Sequence, residues 1–324
     1  MRRTLLKRKS KPEIFYFEFA TCGGETPDSI LVEGLGMFSA LYNDFDFAEV
    51  KSFVREDFKN LFGLPTTDNW EKSFENCLDA EYALIIAPED DFLLFNLTKK
   101  IEKAGLKNLG CSSKAIGVTS DKWRLYKKLK RKVNMPKTSK KPVGDLFVVK
   151  PRVSCGGENI KLTNIAEIEE GYIAQEYVKG DSISLSFIVG DDVELISINK
   201  QIINDFRYGG AIVPLKIEAE SQKQVVDECI KAIESVKGLF GYVGVDVVLS
   251  DIPYIIEINA RLTTPSILFR DVYGINLAEI IFKNYYGEIK KLNVKPKPFK
   301  LVKERGNHGF VHAKGFSLVK LPLK

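Results

Sequence analysis

The stretch from Tyr242 to Arg261, YVGVDVVLSDIPYIIEINAR, sets two acids and an amide inside otherwise apolar sequence. Val243 to Leu249 is β-branched and apolar enough for a buried strand, and Tyr254 to Ile258 repeats that character after a turn at Ser250 to Pro253. Two paired strands are the simplest reading. Asp246, Glu257 and Asn259 then lie on buried strands, which is costly unless a cation or hydrogen bonds compensate them. Glu257 and Asn259 are two residues apart, so on a strand they share a face. All three offer hard oxygen donors, which suit Mg²⁺ (or Mn²⁺) shared with substrate phosphates and do not suit zinc. A solvated hairpin edge with ordinary surface acids is the alternative, and the flanking apolar runs leave little room for it.

With 324 residues and 44% hydrophobic content, the chain is expected to form two or three packed lobes. Its net charge of +5 points to nucleic acid until it is located. Arg2, Arg3, Lys7, Arg8, Lys9 and Lys11 carry it with no acid among them, so the rest is near neutral and a nucleic-acid partner is not expected. No apolar run has the length of a membrane span, and no apolar segment follows the basic run to make it a secretory signal. Five cysteines without C-x-x-C spacing fit reduced thiols in a cytoplasm. The two histidines, His308 and His312, lie in glycine-bearing sequence and read as surface or core residues.

Ile14 to Phe19 reads as a first strand, followed by a loop with Gly23 and Gly24 and a helix from Ile30 to Leu41. Backbone amides at such a strand-to-helix glycine pair often face a ligand, although the pair alone is weak evidence. Tyr82 to Ala87 and Phe92 to Ala104 continue the strand–helix alternation of an open α/β layer. Glu89, just past a strand end, reads equally as a cleft residue and as a helix N-terminal charge. Asp121 to Lys132 is an expected amphipathic helix with Trp123, Tyr126 and Leu129 or nearby positions as its apolar stripe and its lysines mostly solvated. Leu146 to Val149 is a short strand ending at Lys150, and Ser154 to Asn159 follows as a flexible loop around Gly156 and Gly157. A strand-end lysine beside glycines brings a point charge and close backbone amides to phosphate oxygens, without the Gly-Lys-Ser/Thr of a Walker A sequence. Gln201 to Pro214 is expected as a long loop in which Arg207 reads as a carboxylate grip or as a surface arginine. Arg261 follows Asn259 closely enough to reach the same phosphates, and Thr263, Thr264 and Ser266 read as a helix cap or substrate contacts. From Lys290 the chain reads as a returning strand or a tail.

The Asp, Glu-x-Asn, Ala-Arg order resembles the metal-binding hairpin of the ATP-grasp superfamily. That resemblance implies two metal ions at ATP phosphates, one held by Asp246 and Glu257 and the other by Glu257 and Asn259. Three further segments match in family order. The Ser-Asp-Lys start of the helix after residue 120 resembles the position whose lysine, here Lys122, reaches the nucleotide phosphates. Val149-Lys150-Pro151 and the loop after it resemble the phosphate-holding strand and lid loop. The strand Tyr172 to Val178, running to Lys179-Gly180-Asp181, resembles the hinge, where backbone near Glu176, Tyr177 and Val178 would read adenine. The family's ribose-binding Glu is replaced here by Asp181 and Ser182.

The resemblance covers Ile14 to Gly287 and implies an ATP-grasp fold of mixed α/β class with an α+β lid. An open N-terminal α/β domain (13–113), a small lid subdomain (114–180) and a C-terminal antiparallel-sheet subdomain (181–324) are its expected parts. It also implies carboxylate activation by ATP through an acyl phosphate, with Lys150 and Arg261 in catalytic roles and Arg207 and Arg261 holding the substrate acid. Phe17 to Gly24, the Ser29-to-Gly34 stretch and Gly110 to Ile116 resemble a branch of the superfamily that joins L-glutamate to tyramine in methanofuran biosynthesis. A ligase for another acid–amine pair and a non-catalytic nucleotide-binding regulator are the alternatives. A regulator would lack a metal ligand, and all three are present. Assembly as a homo-oligomer stays open.

Overall fold

The computed structural model describes residues 10–165, 167–288 and 294–323. The basic run from Arg2 to Lys9, and Lys290, lie outside the described residues. The segment Glu13–Glu18 has no polar alternation, and Ile14 to Phe17 are fully buried. A strand apolar on both faces belongs between helices in a parallel sheet. It pairs in parallel with Glu49–Lys51 on one side and Tyr82–Ile86 on the other, and Lys107–Asn108 closes the far edge. Helices Asp28–Tyr42 and Leu93–Lys103 form where the sequence predicts them, within two residues at each end. Phe15 and Phe17 each meet Phe74 of helix Trp70–Asn76 edge-on at 5.0 Å. Each such burial stabilises by about 1.5–3 kcal/mol.

A second, antiparallel sheet orders its strands Thr138–Ser139, Tyr172–Glu176, Phe147–Pro151 and Lys161–Thr163. It has a small core of its own, Val143, Phe147 and Ala174. The third sheet has eight antiparallel strands, running from Pro253–Asn259 at one edge through Gly241–Leu249, Asp181–Val189, Val193–Asn204, Arg207–Val213, Phe299–Arg305 and Phe316–Pro322 to Val311–Ala313. This sheet and the parallel sheet share one continuous apolar core, so they form the body on which the smaller sheet sits.

Three local expectations are corrected, and the choice left open for the C-terminal segment is decided. Gln201 to Pro214 is not a long loop: Val193–Asn204 and Arg207–Val213 pair as a hairpin, with Asp205 (φ 47°) and Phe206 (φ 64°) making a two-residue turn. Both central residues have positive φ, the signature of a type I′ turn, and Asp-Phe lacks the Asn-Gly or Asp-Gly signal for it. Of the two readings of the C-terminal segment, the returning strand holds: after residue 294 the chain supplies three strands of the large sheet. The buried stripe of helix Lys122–Leu129 is Lys122, Leu125 and Leu129, while Trp123 and Tyr126 stack on each other at 5.7 Å outside it. At Gly23 and Gly24 a Cβ would come within 2.8 and 2.7 Å of the Phe19 ring, so packing accounts for this pair.

Candidate active site

Asp246 and Glu257 face each other across the hairpin, and Asn259 lies opposite Gly244. The pairing slips by one residue beside Asp246, so that Ile255 rather than Ile256 opposes Val247. This bulge sets Asp246, Glu257 and Asn259 on one face while Ile255 and Ile258 stay in the core. A Cβ at Gly244 would come within 2.6 Å of the Thr263 methyl, so the glycine admits the segment after the hairpin. Asp246 accepts hydrogen bonds from Asn259 Nδ2 (3.0 Å) and Gln201 Nε2 (3.0 Å). Burial, reinforced by the charge of Glu257, pushes the Asp246 carboxyl up to about 7. Two opposed, half-buried carboxylates make a site suited to positive charge.

Cations approach it from the smaller sheet. Lys122, capped into its helix by Asp121, donates to Ser154 O (2.7 Å) and lies 3.5 Å from Glu257 Oε2. It thereby ties the start of the glycine loop to the hairpin. Lys150 is buried, donates to Gln175 Oε1 (2.8 Å), and Gln175 in turn donates to Thr138 Oγ1 (3.0 Å). Burial, with Lys122 adding to it, lowers the Lys150 ammonium to about 8, against the pull of Glu257 and Asp246. The loop after Lys150 takes left-handed backbone at Gly156 (φ 70°), Gly157 (φ 75°) and Asn159 (φ 56°). It lies closed on the body: a Cβ at Gly157 would fall 2.0 Å from Phe206 O, one at Gly156 would fall 2.9 Å from Ile30, and Cys155 N donates to Asp90 (3.3 Å).

The remaining predicted residues are less uniform. In the hinge, Glu176 N donates to Lys137 O (2.8 Å) and Tyr177 N to Leu146 O (3.0 Å), so these two amides serve the small sheet. Tyr177 is exposed and Val178 follows it out of the strand. Asp181 opens the next strand and is paired with Lys200. Arg207 is exposed at the start of its strand, directly under Gly157. Arg261 is part of the body: Nε and Nη2 donate to the two oxygens of Glu89 at 2.9 and 2.7 Å, and Nη1 donates to Leu262 O (3.1 Å). Among the described residues the five cysteines are free thiols, and burial pushes Cys77 to about 11 and Cys111 to about 12, which excludes both as thiolate nucleophiles. His308 is exposed and bonded to Glu304 (2.8 Å), far from a catalytic setting.

Several contributors escaped the sequence reading. Gln201 positions Asp246 from the hairpin read as a loop. Glu33 and Lys303 form an ion pair of 2.6 Å with side chains only 14% and 10% exposed. Tyr208 carries a buried hydroxyl with no hydrogen-bond partner among the described residues. Only Glu33 had a signal available, an acid inside the apolar run Ile30 to Leu35, the same signal that singles out Glu257.

Comparison with known proteins fits this arrangement. An ATP-grasp domain family matches residues 119–265, and a pre-ATP-grasp domain family matches residues 53–116. A tyramine–L-glutamate ligase from Methanocaldococcus fervens is 38% identical over 309 residues, 90% of this chain and 100% of that protein. The chain belongs to the ATP-grasp superfamily. A 3-methyl-D-ornithine–L-lysine ligase from Methanosarcina mazei is 25% identical over 255 residues, 66% of each chain. Among solved structures, an ATP-grasp superfamily protein from Archaeoglobus fulgidus matches with a TM-score of 0.87 and 44% identity, covering 97% of this chain and 100% of that one. An L-amino acid ligase from Bacillus licheniformis shares the fold at a TM-score of 0.66 and 16% identity.

ATP-grasp enzymes use ATP and divalent metal ions such as Mg²⁺, and the donor set here fits such an ion. Two carboxylates and an amide supply hard oxygen ligands on one face of the hairpin. Among the described residues no group of three or more His, Cys, Asp or Glu forms a self-sufficient cage. No helix among the described residues is long and apolar enough to cross a membrane.

Proposed function

We propose that this chain is an ATP-dependent ligase that joins the γ-carboxylate of L-glutamate to the amine of tyramine. The observation that carries the reading is the convergence of Asp246, Glu257 and Asn259 with Lys122 and Lys150 around one site, with Lys122 tying the start of a glycine loop to it. The choice of substrates is supported by the 38% identity to ligases of that name over 90% of the chain.

In the proposed reaction a carboxylate oxygen of glutamate attacks the γ-phosphorus of ATP, and the bond to the bridging oxygen breaks to release ADP. Tyramine nitrogen then attacks the acyl phosphate carbon, inorganic phosphate leaves, and the nitrogen loses a proton to solvent. Lys122 and Lys150 hold phosphate charge, and Asp246, Glu257 and Asn259 would hold two metal ions, Glu257 shared between them. Those ions would neutralise charge on the β- and γ-phosphate oxygens. The protein's part is positioning and charge compensation in a covered site, so little covalent participation by side chains is needed. Arg261, held by Glu89, contributes positive charge at a fixed position beside the hairpin.

The test is coupled ADP release across a panel of acids and amines, with product masses. Turnover that requires glutamate and tyramine together, with a γ-linked amide as product, is the expected result. Strong turnover with another amine and none with tyramine would overturn the substrate assignment.

A further inference from the structure

We propose that Glu33, Lys303 and Tyr208 form the pocket for the zwitterionic α-carbon end of the amino-acid substrate. Glu33 takes the α-ammonium, Lys303 and the Tyr208 hydroxyl take the α-carboxylate, and the side-chain carboxylate extends toward Asp246. The assignment rests on the ligase reading above and deepens it.

Three elements distant in sequence meet here. Glu33 comes from the first long helix, Tyr208 from the hairpin strand Arg207–Val213, and Lys303 from the neighbouring strand Phe299–Arg305. Lys303 Nζ donates to Glu33 Oε1 at 2.6 Å and lies 5.9 Å from the centre of the Tyr208 ring. Thr264 Oγ1 donates to Glu33 Oε2 at 2.7 Å, which anchors the pair to the segment just beyond Asn259. The Tyr208 hydroxyl is buried and bonds to nothing among the described residues. Burial pushes this phenol well up, and Glu33, Asp246 and Tyr242 add to the effect. Glu33 of the helix and Asp246 of the hairpin are thus both within electrostatic reach of the hydroxyl.

A buried ion pair that only joined two elements would explain Glu33 and Lys303 and leave Tyr208 unexplained. Orphan buried hydroxyls are rare because each forfeits hydration, and a ligand that completes the bond is a physical reason to keep one. The chemistry selects the ligand class. A carboxylate and an ammonium held side by side are complementary to a zwitterion, and adding a zwitterion to an ion pair buries no net charge. An anionic side-chain carboxylate then carries the substrate's only excess charge, and it faces the cations around the hairpin.

Wild-type enzyme would be assayed for ADP release, with saturating tyramine, on glutamate, glutarate (no α-ammonium) and 4-aminobutyrate (no α-carboxylate). Preference for glutamate over both by tenfold or more is expected. Tyr208→Phe should leave the KM for ATP unchanged and the unfolding temperature the same or higher, because its hydroxyl bonds nothing among the described residues. The KM for glutamate should rise roughly ten- to hundredfold while that for 4-aminobutyrate stays put. Glu33→Gln should lose the preference over glutarate and keep the preference over 4-aminobutyrate. An unchanged glutamate KM in Tyr208→Phe, or equal losses on glutamate and 4-aminobutyrate, would overturn the pocket while leaving an active ligase. No ADP release by wild type with glutamate and tyramine would overturn the ligase reading and the pocket together.

Discussion

Arg261 and Glu89 are joined by two hydrogen bonds of 2.9 and 2.7 Å across 172 residues of sequence, tying the end of the metal hairpin to the N-terminal parallel-sheet region. The side chains are only 13% and 6% exposed, so each charge depends on the other for compensation. Removing either partner strands a buried charge, at a cost of about 3–5 kcal/mol. Glu89→Ala and Arg261→Ala should each lower the urea midpoint accordingly. The double variant should be less destabilised than the sum of the two by about 1 kcal/mol or more. Additive losses would show that the pair is not a coupled unit.

Glu257 is the carboxylate common to both proposed metal positions and is also the charge that raises Asp246. Replacing it with Gln removes a metal ligand and relieves the repulsion at once. Glu257→Gln should therefore cut ADP formation by roughly a hundredfold or more, since metal stabilisation of transferred charge is worth several kcal/mol. Near-normal turnover in saturating Mg²⁺ would refute the metal assignment.

How much of this was legible in the sequence depended on how local each signal is. Acids inside an apolar run with two-residue spacing mark Asp246, Glu257 and Asn259 without any knowledge of neighbours. The parallel strand at Glu13–Glu18 was legible for the same reason. Arg207's setting was misread because the Asp205–Phe206 turn uses positive φ without a glycine or asparagine to announce it. In the Lys122 helix the sequence reading places Leu129 in the stripe and sets Lys122 apart from the solvated lysines, but assigns to Trp123 and Tyr126 stripe positions that Leu125 fills. The groups that bury Lys122, Glu257 and Ser154, arrive from elsewhere in the chain. Lys303 could not be found at all: its partner Glu33 is 270 residues away, and nothing local distinguishes it from the other lysines after residue 294.

Lys150 and Lys128 separate phosphate binding from general charge. Lys150 is buried beside Lys122, whereas Lys128 is exposed on the far face of its helix. Lys150→Ala should weaken ATP binding by about 1.5–3 kcal/mol, roughly ten- to hundredfold, as loss of a hydrogen bond to a charged group does. Lys128→Ala should leave it within twofold, because an exposed charge is screened by salt. Calorimetric titration with ATP and Mg²⁺ makes the comparison, and equal affinities in the two variants would remove Lys150 from the phosphate site.

The lowered Lys150 ammonium also fixes a pH dependence. Its value of about 8 against an ordinary 10.5 arises first from burial and then from Lys122, while Glu257 and Asp246 oppose the shift. The free enzyme therefore carries the cation below pH 8 and loses it above. Between about 8 and 10.5 the unfolded chain binds the extra proton, so this group makes the ATP-free protein gain stability as pH rises through that window. Phosphate binding favours the charged form, so ATP should raise the value and the two trends should oppose each other. Since kcat/KM reports the free enzyme and kcat the complex, kcat/KM for ATP should begin to fall near pH 8 while kcat holds to higher pH. Lys150→Arg keeps its charge throughout and should lose the alkaline limb of kcat/KM even if its absolute rate is lower. The same limb at the same pH in Lys150→Arg would assign it to another group.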